Sequence, residues 1–138
     1  MIVQYGVIPW RLNAGGRVEI LLITSRETRR WVIPRGNPMR GRAPHEAAAQ
    51  EALEEAGISG KVGDVALGVY SYRKRRRDGS LVPARVHVFA MEVVDEADEW
   101  PERDERERRW FEPDAAAMAV LEPDLGALIL VAARRVER

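Results

Sequence analysis

Residues 50–58, Gln50-Glu51-Ala52-Leu53-Glu54-Glu55-Ala56-Gly57-Ile58, put three carboxylates within five positions and close on a glycine. A helical residue advances by about 100°, which sets Glu55 about 40° to one side of Glu51 and Glu54 about 60° to the other. All three therefore share one helix face. Ala49, Leu53 and Ala56 lie opposite, and the spacing predicts that they pack on a sheet. Ala47 and Ala48 flank the acidic face one turn earlier and are too small to cover it. The limits of this helix are written in the chain. Pro44 suits the first helical position, where its missing N–H costs nothing. Glu46 complements the positive end of the helix dipole. Gly57 can take the left-handed conformation that ends a helix. A helix over 44–56 is expected.

Like charges at i,i+4 destabilise a helix by a few tenths of a kcal/mol, so the acidic face needs an offset. Solvation supplies one. A divalent cation supplies another, because Mg²⁺ and Mn²⁺ take oxygen ligands and Mg²⁺ binds through a few carboxylates, waters and substrate phosphates. The preceding residues favour the cation. Residues 34–43, PRGNPMRGRA, form a glycine- and proline-rich loop. Gly36 and Gly41 let backbone approach a ligand closely. The loop arginines can hold phosphate oxygens.

Loop, helix, acidic face and terminal glycine occupy residues 36–58, and that stretch resembles the Nudix box. The family pattern is G-x5-E-x7-R-E-U-x-E-E-x-G-U, with U a bulky apolar residue. Gly36, Glu51, Glu54, Glu55, Gly57 and Ile58 match in register. Arg42 stands where the box has its first glutamate, Gln50 stands where it has arginine, and Ala52 is smaller than the usual apolar residue. Replacing both charged positions together avoids stranding one charge. Gln50 is expected to bond the loop and Arg42 to pair with Glu46. The stretches Leu21-Leu22-Ile23-Thr24-Ser25-Arg26, Arg30-Trp31-Val32-Ile33-Pro34 and Arg106-Glu107-Arg108-Arg109-Trp110-Phe111 are similar to the branch of the family that acts on diphosphoinositol polyphosphates and diadenosine polyphosphates.

This resemblance implies an α+β fold, an α/β/α sandwich with a mixed sheet between helices. It implies Mg²⁺- or Mn²⁺-dependent hydrolysis of a phosphoanhydride in a small, highly phosphorylated molecule. Glu51 and Glu55 would be metal ligands, and Glu54 a further ligand or the general base, with Glu51 the other catalytic carboxylate. The carbonyl of Arg35 would be an extra ligand. Ser25, Arg26, Arg35, Gly36 and Arg108 would contact substrate, with Lys74 contributing from a hairpin. Glu92, Asp95 and Glu96 are candidates for a base from a later loop. Two other readings stay open: a non-catalytic nucleotide sensor, which the changes at 42 and 50 would suit, and an RNA 5′-end pyrophosphohydrolase.

The remainder of the chain agrees with this frame. Strands are expected over Val3–Trp10, Val18–Thr24, Trp31–Ile33, Val65–Tyr72, Val82–Val94 and Trp110–Phe111, and further helices over 114–120 and 124–136. Asp78-Gly79 marks a hairpin. Regular βαβ alternation is missing, which points to α+β rather than a doubly wound sheet. With 138 residues and 46% apolar composition, one globular domain over 1–138 is expected. The chain has no cysteine, which excludes a disulfide scaffold and a thiolate metal site. No apolar run reaches the roughly 18 residues of a membrane span. The N-terminal MIVQYGVIPWR does not read as a signal peptide, and a cytoplasmic location is expected.

The 22 basic and 22 acidic residues cancel, but residues 1–91 hold 15 basic and 8 acidic ones, a net of +7, and residues 92–138 hold the balancing excess of acid. Arg26, Arg29, Arg30, Arg35, Arg40, Arg42 and the run Arg73–Arg77 give a face suited to a small polyanion. The overall neutrality gives no support for a stable nucleic-acid complex. A homodimer is left open. His45, His87 and the four tryptophans are expected to serve packing and surface roles.

Overall fold

The computed structural model describes residues 1–137. Its elements run β1 (Ile2–Leu12), β2 (Val18–Thr24), β3 (Trp31–Val32), β4 (Arg35–Gly36), α1 (Pro44–Ala56), β5 (Ile58–Val62), β6 (Gly68–Arg75), β7 (Leu81–Glu96), β8 (Arg108–Phe111), α2 (Pro113–Ala119) and α3 (Pro123–Val136). All eight strands join one mixed sheet. β1 lies parallel to β7, in register from Ile2↔Ala84 to Trp10↔Glu92. The other pairings are antiparallel. β6 covers the first half of β7 and β5 the second. β1 pairs with β2 at one end and with β4 at the other. β2 also carries β3 and β8.

Strand alternation divides the core in two. Ile20, Leu22, Ile8, Val86 and Val88 face α2 and α3, where Leu125, Ile129 and Ala133 meet them. Leu21, Ile23, Val7, Phe89 and Met91 face α1, where Ala48, Ala52 and Ala56 meet them. The expected α/β/α sandwich is present, and the helix over 44–56 has the expected bounds.

Three expectations need correction. The strand placed at Val65–Tyr72 is β6, which begins only at Gly68 and runs on to Arg75; Val65 is exposed in the connection from β5, a strand that the sequence pattern does not predict. β5 escapes pattern reading because its sequence, ISGKV, lacks alternation and its pairing shifts register between Ser59 and Gly60. Arg35–Gly36, assigned to a loop, pairs with Tyr5 and Gly6 of β1. Leu53 does not pack on the sheet: it is 42% exposed, and the stripe at Ala48, Ala52 and Ala56 takes that role. The strand side chains already fill this layer, so only methyl groups fit beneath the helix.

Candidate active site

The site forms where β4 meets α1. Pairing with β1 fixes Arg35–Gly36, and the Val7 N–H donates to the Pro34 carbonyl at 3.1 Å. The Arg35 N–H in turn donates to Glu55 Oε1 at 3.2 Å. A Cβ on Gly36 would overlap the Glu51 carboxylate. Glycine at 36 therefore lets the Glu51 side chain lie directly against the backbone of β4. Both carboxylates line a cleft of about 610 Å³.

Glu55 is 8% exposed. Burial pushes its carboxyl up to about 8; the Arg106 guanidinium opposes that rise and Glu51 reinforces it. Glu51 is also raised, by burial first, then by the like charges of Glu54 and Glu102, against the pull of Arg106 and Lys74. Arg106 stands among the acids. Its Nη2 lies 3.8 Å from Glu55 Oε2, its Nε donates to Glu102 Oε1 at 2.8 Å, and its Nη1 donates to the Thr24 carbonyl at 3.2 Å. The segment carrying Glu102 and Arg106 is tied down at both ends. The Glu102 N–H donates to the Glu54 carbonyl at 3.1 Å, and the Glu107 N–H to Thr24 Oγ1 at 2.9 Å.

The cleft has a basic lining as well. Arg26, Arg30, Arg73, Lys74 and Arg75 line it. Ser25 lines it too, with its hydroxyl held in the turn: it sits 2.6 Å from Thr28 Oγ1 and accepts the Arg30 N–H at 3.1 Å. The Arg35 guanidinium stacks over Tyr72 at 3.9 Å and donates to the Tyr70 hydroxyl at 3.2 Å. The Tyr72 hydroxyl donates to Gln4 Oε1 at 2.6 Å, and Gln4 Nε2 donates to Asn37 Oδ1 at 3.3 Å. The one cleft thus offers both oxygen ligands for a cation and nitrogen donors for an anion.

Residues 4–130 match the NUDIX domain. The chain belongs to the Nudix family. It is 34% identical over 121 residues to Nudix hydrolase 12, mitochondrial, of Arabidopsis thaliana, covering 77% of this chain and 60% of that protein. It is 34% identical over 101 residues to diphosphoinositol polyphosphate phosphohydrolase 3-alpha of Mus musculus, covering 71% of this chain and 57% of that one. The chain therefore spans about 60% of the length of such relatives. Among solved structures, a C. elegans Ap4A hydrolase binary complex superposes with a TM-score of 0.68 at 19% identity, over 94% of this chain and 93% of that one. No helix among the described residues is long and apolar enough to cross a membrane.

The Nudix box is folded as its sequence implies, with two rearrangements. Glu54 does not line the cleft; its Oε2 accepts from Gln50 Nε2 at 3.0 Å. Arg42 does not pair with Glu46. Its Nη1 donates to Gln50 Oε1 at 3.2 Å, while the Glu46 carboxylate accepts the Ala43 N–H at 2.8 Å. Gln50 does bond the loop, as expected. Among the described residues no group of three or more His, Asp or Glu is assembled at metal-holding spacing. Glu51 and Glu55 still fit a hard cation. They supply carboxyl oxygens to one cleft, and the missing Cβ of Gly36 leaves Glu51 room there.

Arg108 is the clearest displacement from expectation. It lies outside the cleft, donating to the carbonyls of Ala56 at 2.9 Å and Ala97 at 2.8 Å and stacking over Trp100 at 4.0 Å. The strand pairing of β8 with β2 points it at the end of α1, whose orphan carbonyls need donors. Glu92, Asp95 and Glu96 sit on the half of β7 paired with β5, and Glu96 is engaged by Arg11 and Trp110. None of the three lines the cleft. Sequence reading missed Glu102, Arg106, Gln4 and Tyr72. Arg106 heads a stretch similar to the family branch, but that likeness assigns it no role, and the i,i+4 spacing of Glu102 and Arg106 is shared by charge-rich surface segments.

Proposed function

We propose that this chain hydrolyses a phosphoanhydride bond in a small, highly phosphorylated molecule, a diadenosine polyphosphate or an inositol pyrophosphate, with Mg²⁺ or Mn²⁺ as cofactor. One observation carries the reading: Glu51 and Glu55 line the same cleft as Arg26, Arg30, Arg73, Lys74 and Arg75. The names of the mouse and nematode relatives support the substrate class. A single domain over residues 1–138 acting on a small molecule in the cytoplasm, with a homodimer left open, completes the proposal.

Glu51 and Glu55 would hold the ion, with the Arg35 carbonyl as a further ligand. When bound, it shields phosphate charge, polarises the P–O bond and lowers the pKa of a coordinated water. The chain's own groups do the rest. The basic wall holds the non-reacting phosphates and fixes the line of attack. Glu51 lines the cleft beside the proposed ion, where its carboxylate could also accept a proton from the attacking water. Arg106, between Glu55 and Glu102, would offset the negative charge of the acids around the ion.

The test is phosphate release from a panel of diadenosine polyphosphates, inositol pyrophosphates and nucleoside diphosphates, with Mg²⁺, with Mn²⁺ and with chelator. Metal-dependent turnover is expected, and its absence on the whole panel overturns the reading. The tie of Glu54 to Gln50 and the presence of Arg106 on Glu55 favour one alternative, a sensor that binds a polyphosphate without cleaving it. Tight binding with no turnover is its signature.

A further inference from the structure

The helix α1 carries Glu46, Glu51, Glu54 and Glu55 and not one lysine or arginine. Two arginines from elsewhere reach its last two carboxylates, from opposite sides. Arg106 meets Glu55 inside the cleft. Arg42, in the loop before the helix, reaches Glu54 through the Gln50 amide. We propose that Arg42 is a positioning residue which, through Gln50, fixes the Glu54 carboxylate on the outer side of α1 and so sets the acidic field in which Glu51 and Glu55 work.

The chemistry of the bridge gives it a direction. A glutamine amide has an acceptor end and a donor end. Arg42 can only donate and the Glu54 carboxylate can only accept. Gln50 therefore satisfies both with Oε1 toward Arg42 at 3.2 Å and Nε2 toward Glu54 at 3.0 Å. The reversed amide would oppose like groups at both ends. The amide dipole thus lies between a cation and an anion, and three side chains hold one another in a single arrangement.

Glu54 and Glu51 are one helical turn apart on the same side, where like charges repel. A Glu54 side chain without its tie is free to swing, and its repulsion at Glu51 then varies with each rotamer. Two of the three positions at which this chain departs from the Nudix box, 42 and 50, build the tie. Where the box places a glutamate at 42 and an arginine at 50, this chain places its cation at 42 and a neutral bridge at 50. The departures compensate each other.

The kinetic part of the test rests on the hydrolase reading; the structural part does not. Arg42→Ala and Gln50→Leu are each expected to lower kcat about fivefold with KM within twofold, because neither residue lines the substrate cleft. The double variant is expected to lose the same fivefold, since a chain broken once has nothing further to break. The charge exchange Arg42→Glu with Gln50→Arg is expected to return kcat to within twofold of the parent, against a loss of about tenfold for Arg42→Glu alone. Additive losses, or an exchange no better than Arg42→Glu, overturn the proposal. In parallel, the crystal structure of metal-free Arg42→Ala is expected to show Glu54 released from Gln50. Glu54 unmoved in that variant overturns the proposal whatever the kinetics. Should the parent protein show no metal-dependent turnover, the hydrolase reading falls, and these metal-free structures still decide whether Arg42 positions Glu54.

Discussion

Glu54 and Glu55 are chain neighbours of identical chemistry, and the fold sends them to different worlds. Glu55 points under α1, where burial raises its proton affinity and Arg106 and the Arg35 N–H attend it. Glu54 points outward and answers to Gln50 and Arg42. The difference teaches that a shared helix face, read from angular spacing, is too coarse a description of this box. About 100° per residue separates adjacent side chains enough for one to enter a cleft and the next to miss it. The sharpest way to break the comparison is to neutralise each carboxylate in turn. Glu51→Gln and Glu55→Gln are expected to lower metal-dependent phosphate release by about a thousandfold, since each removes an anionic oxygen from the proposed metal site. Glu54→Gln is expected to cost about tenfold, consistent with a role outside the cleft. Equal losses for all three would restore the simpler picture of one undivided face.

The inner side also depends on how α1 ends. Gly57 has φ +66°, and a Cβ there would overlap the Trp100 indole. Trp100 in turn donates from Nε1 to the Glu55 carbonyl at 3.1 Å. Gly57→Ala is expected to destabilise the protein by about 3 kcal/mol, combining left-handed strain with overpacking. Chemical denaturation measures this. A loss under about 1 kcal/mol would show that Trp100 moves aside freely.

Much of this was legible in the sequence, and the boundary of legibility is physical. The bounds of α1 were readable because Pro44, Glu46 and Gly57 act locally. Residues 2–12 and 18–24 announce themselves as strands by apolar runs. The placement of Glu51 against Gly36 in one stretch was readable from the box spacing. Arg106 and Glu102 were not, because their contact with α1 is made by the long segment after β7, and no spacing rule links positions 102 and 106 to position 55. Arg108 was misplaced for the same reason: a one-residue alternation in β8 decides whether an arginine faces a cleft or a helix end. Leu53 was misplaced because its angle opposite Glu51 argued for the sheet side, whereas the helix turns the stripe of Ala48, Ala52 and Ala56 to the sheet.

The buried Glu55 makes a pH prediction with a definite sign. Its folded value of about 8 exceeds its unfolded value near 4.5, so the folded protein holds a proton that the unfolded chain has released between those limits. The contribution to stability is full below about pH 4.5 and is lost as pH rises towards 8. The metal-free protein is expected to melt several degrees lower at pH 8.5 than at pH 5.5, and Glu55→Gln is expected to flatten that slope. A variant that keeps the parent's slope would place the titration elsewhere. Arg108→Ala sharpens the same contrast from outside the cleft. Loss of its hydrogen bonds to the Ala56 and Ala97 carbonyls is expected to cost about 1–2 kcal/mol of stability. KM for the polyphosphate should stay within about twofold, a change of less than about 0.5 kcal/mol. A large rise in KM with unchanged stability would return Arg108 to the substrate.

Leu53 is expected to give the smallest effect. It is the only large apolar side chain on α1, and a sequence-based argument would assign its loss the cost of a core truncation, about 2–5 kcal/mol for leucine to alanine. The structure assigns much less. Leu53 is 42% exposed and lies on a shallow outer groove with Val62 and Met91, so truncation removes partial contacts and opens no enclosed cavity. Leu53→Ala is expected to cost under about 1 kcal/mol, because the term that scales with residual cavity volume vanishes where water can enter. Turnover should be unchanged, since the side chain points away from Glu51 and Glu55. Thermal and denaturant melts of Leu53→Ala beside the parent measure the first expectation, and phosphate release the second. A loss above about 2 kcal/mol would mean that the outer groove is closed in solution, and the two sides of α1 would then differ in charge alone and not in burial.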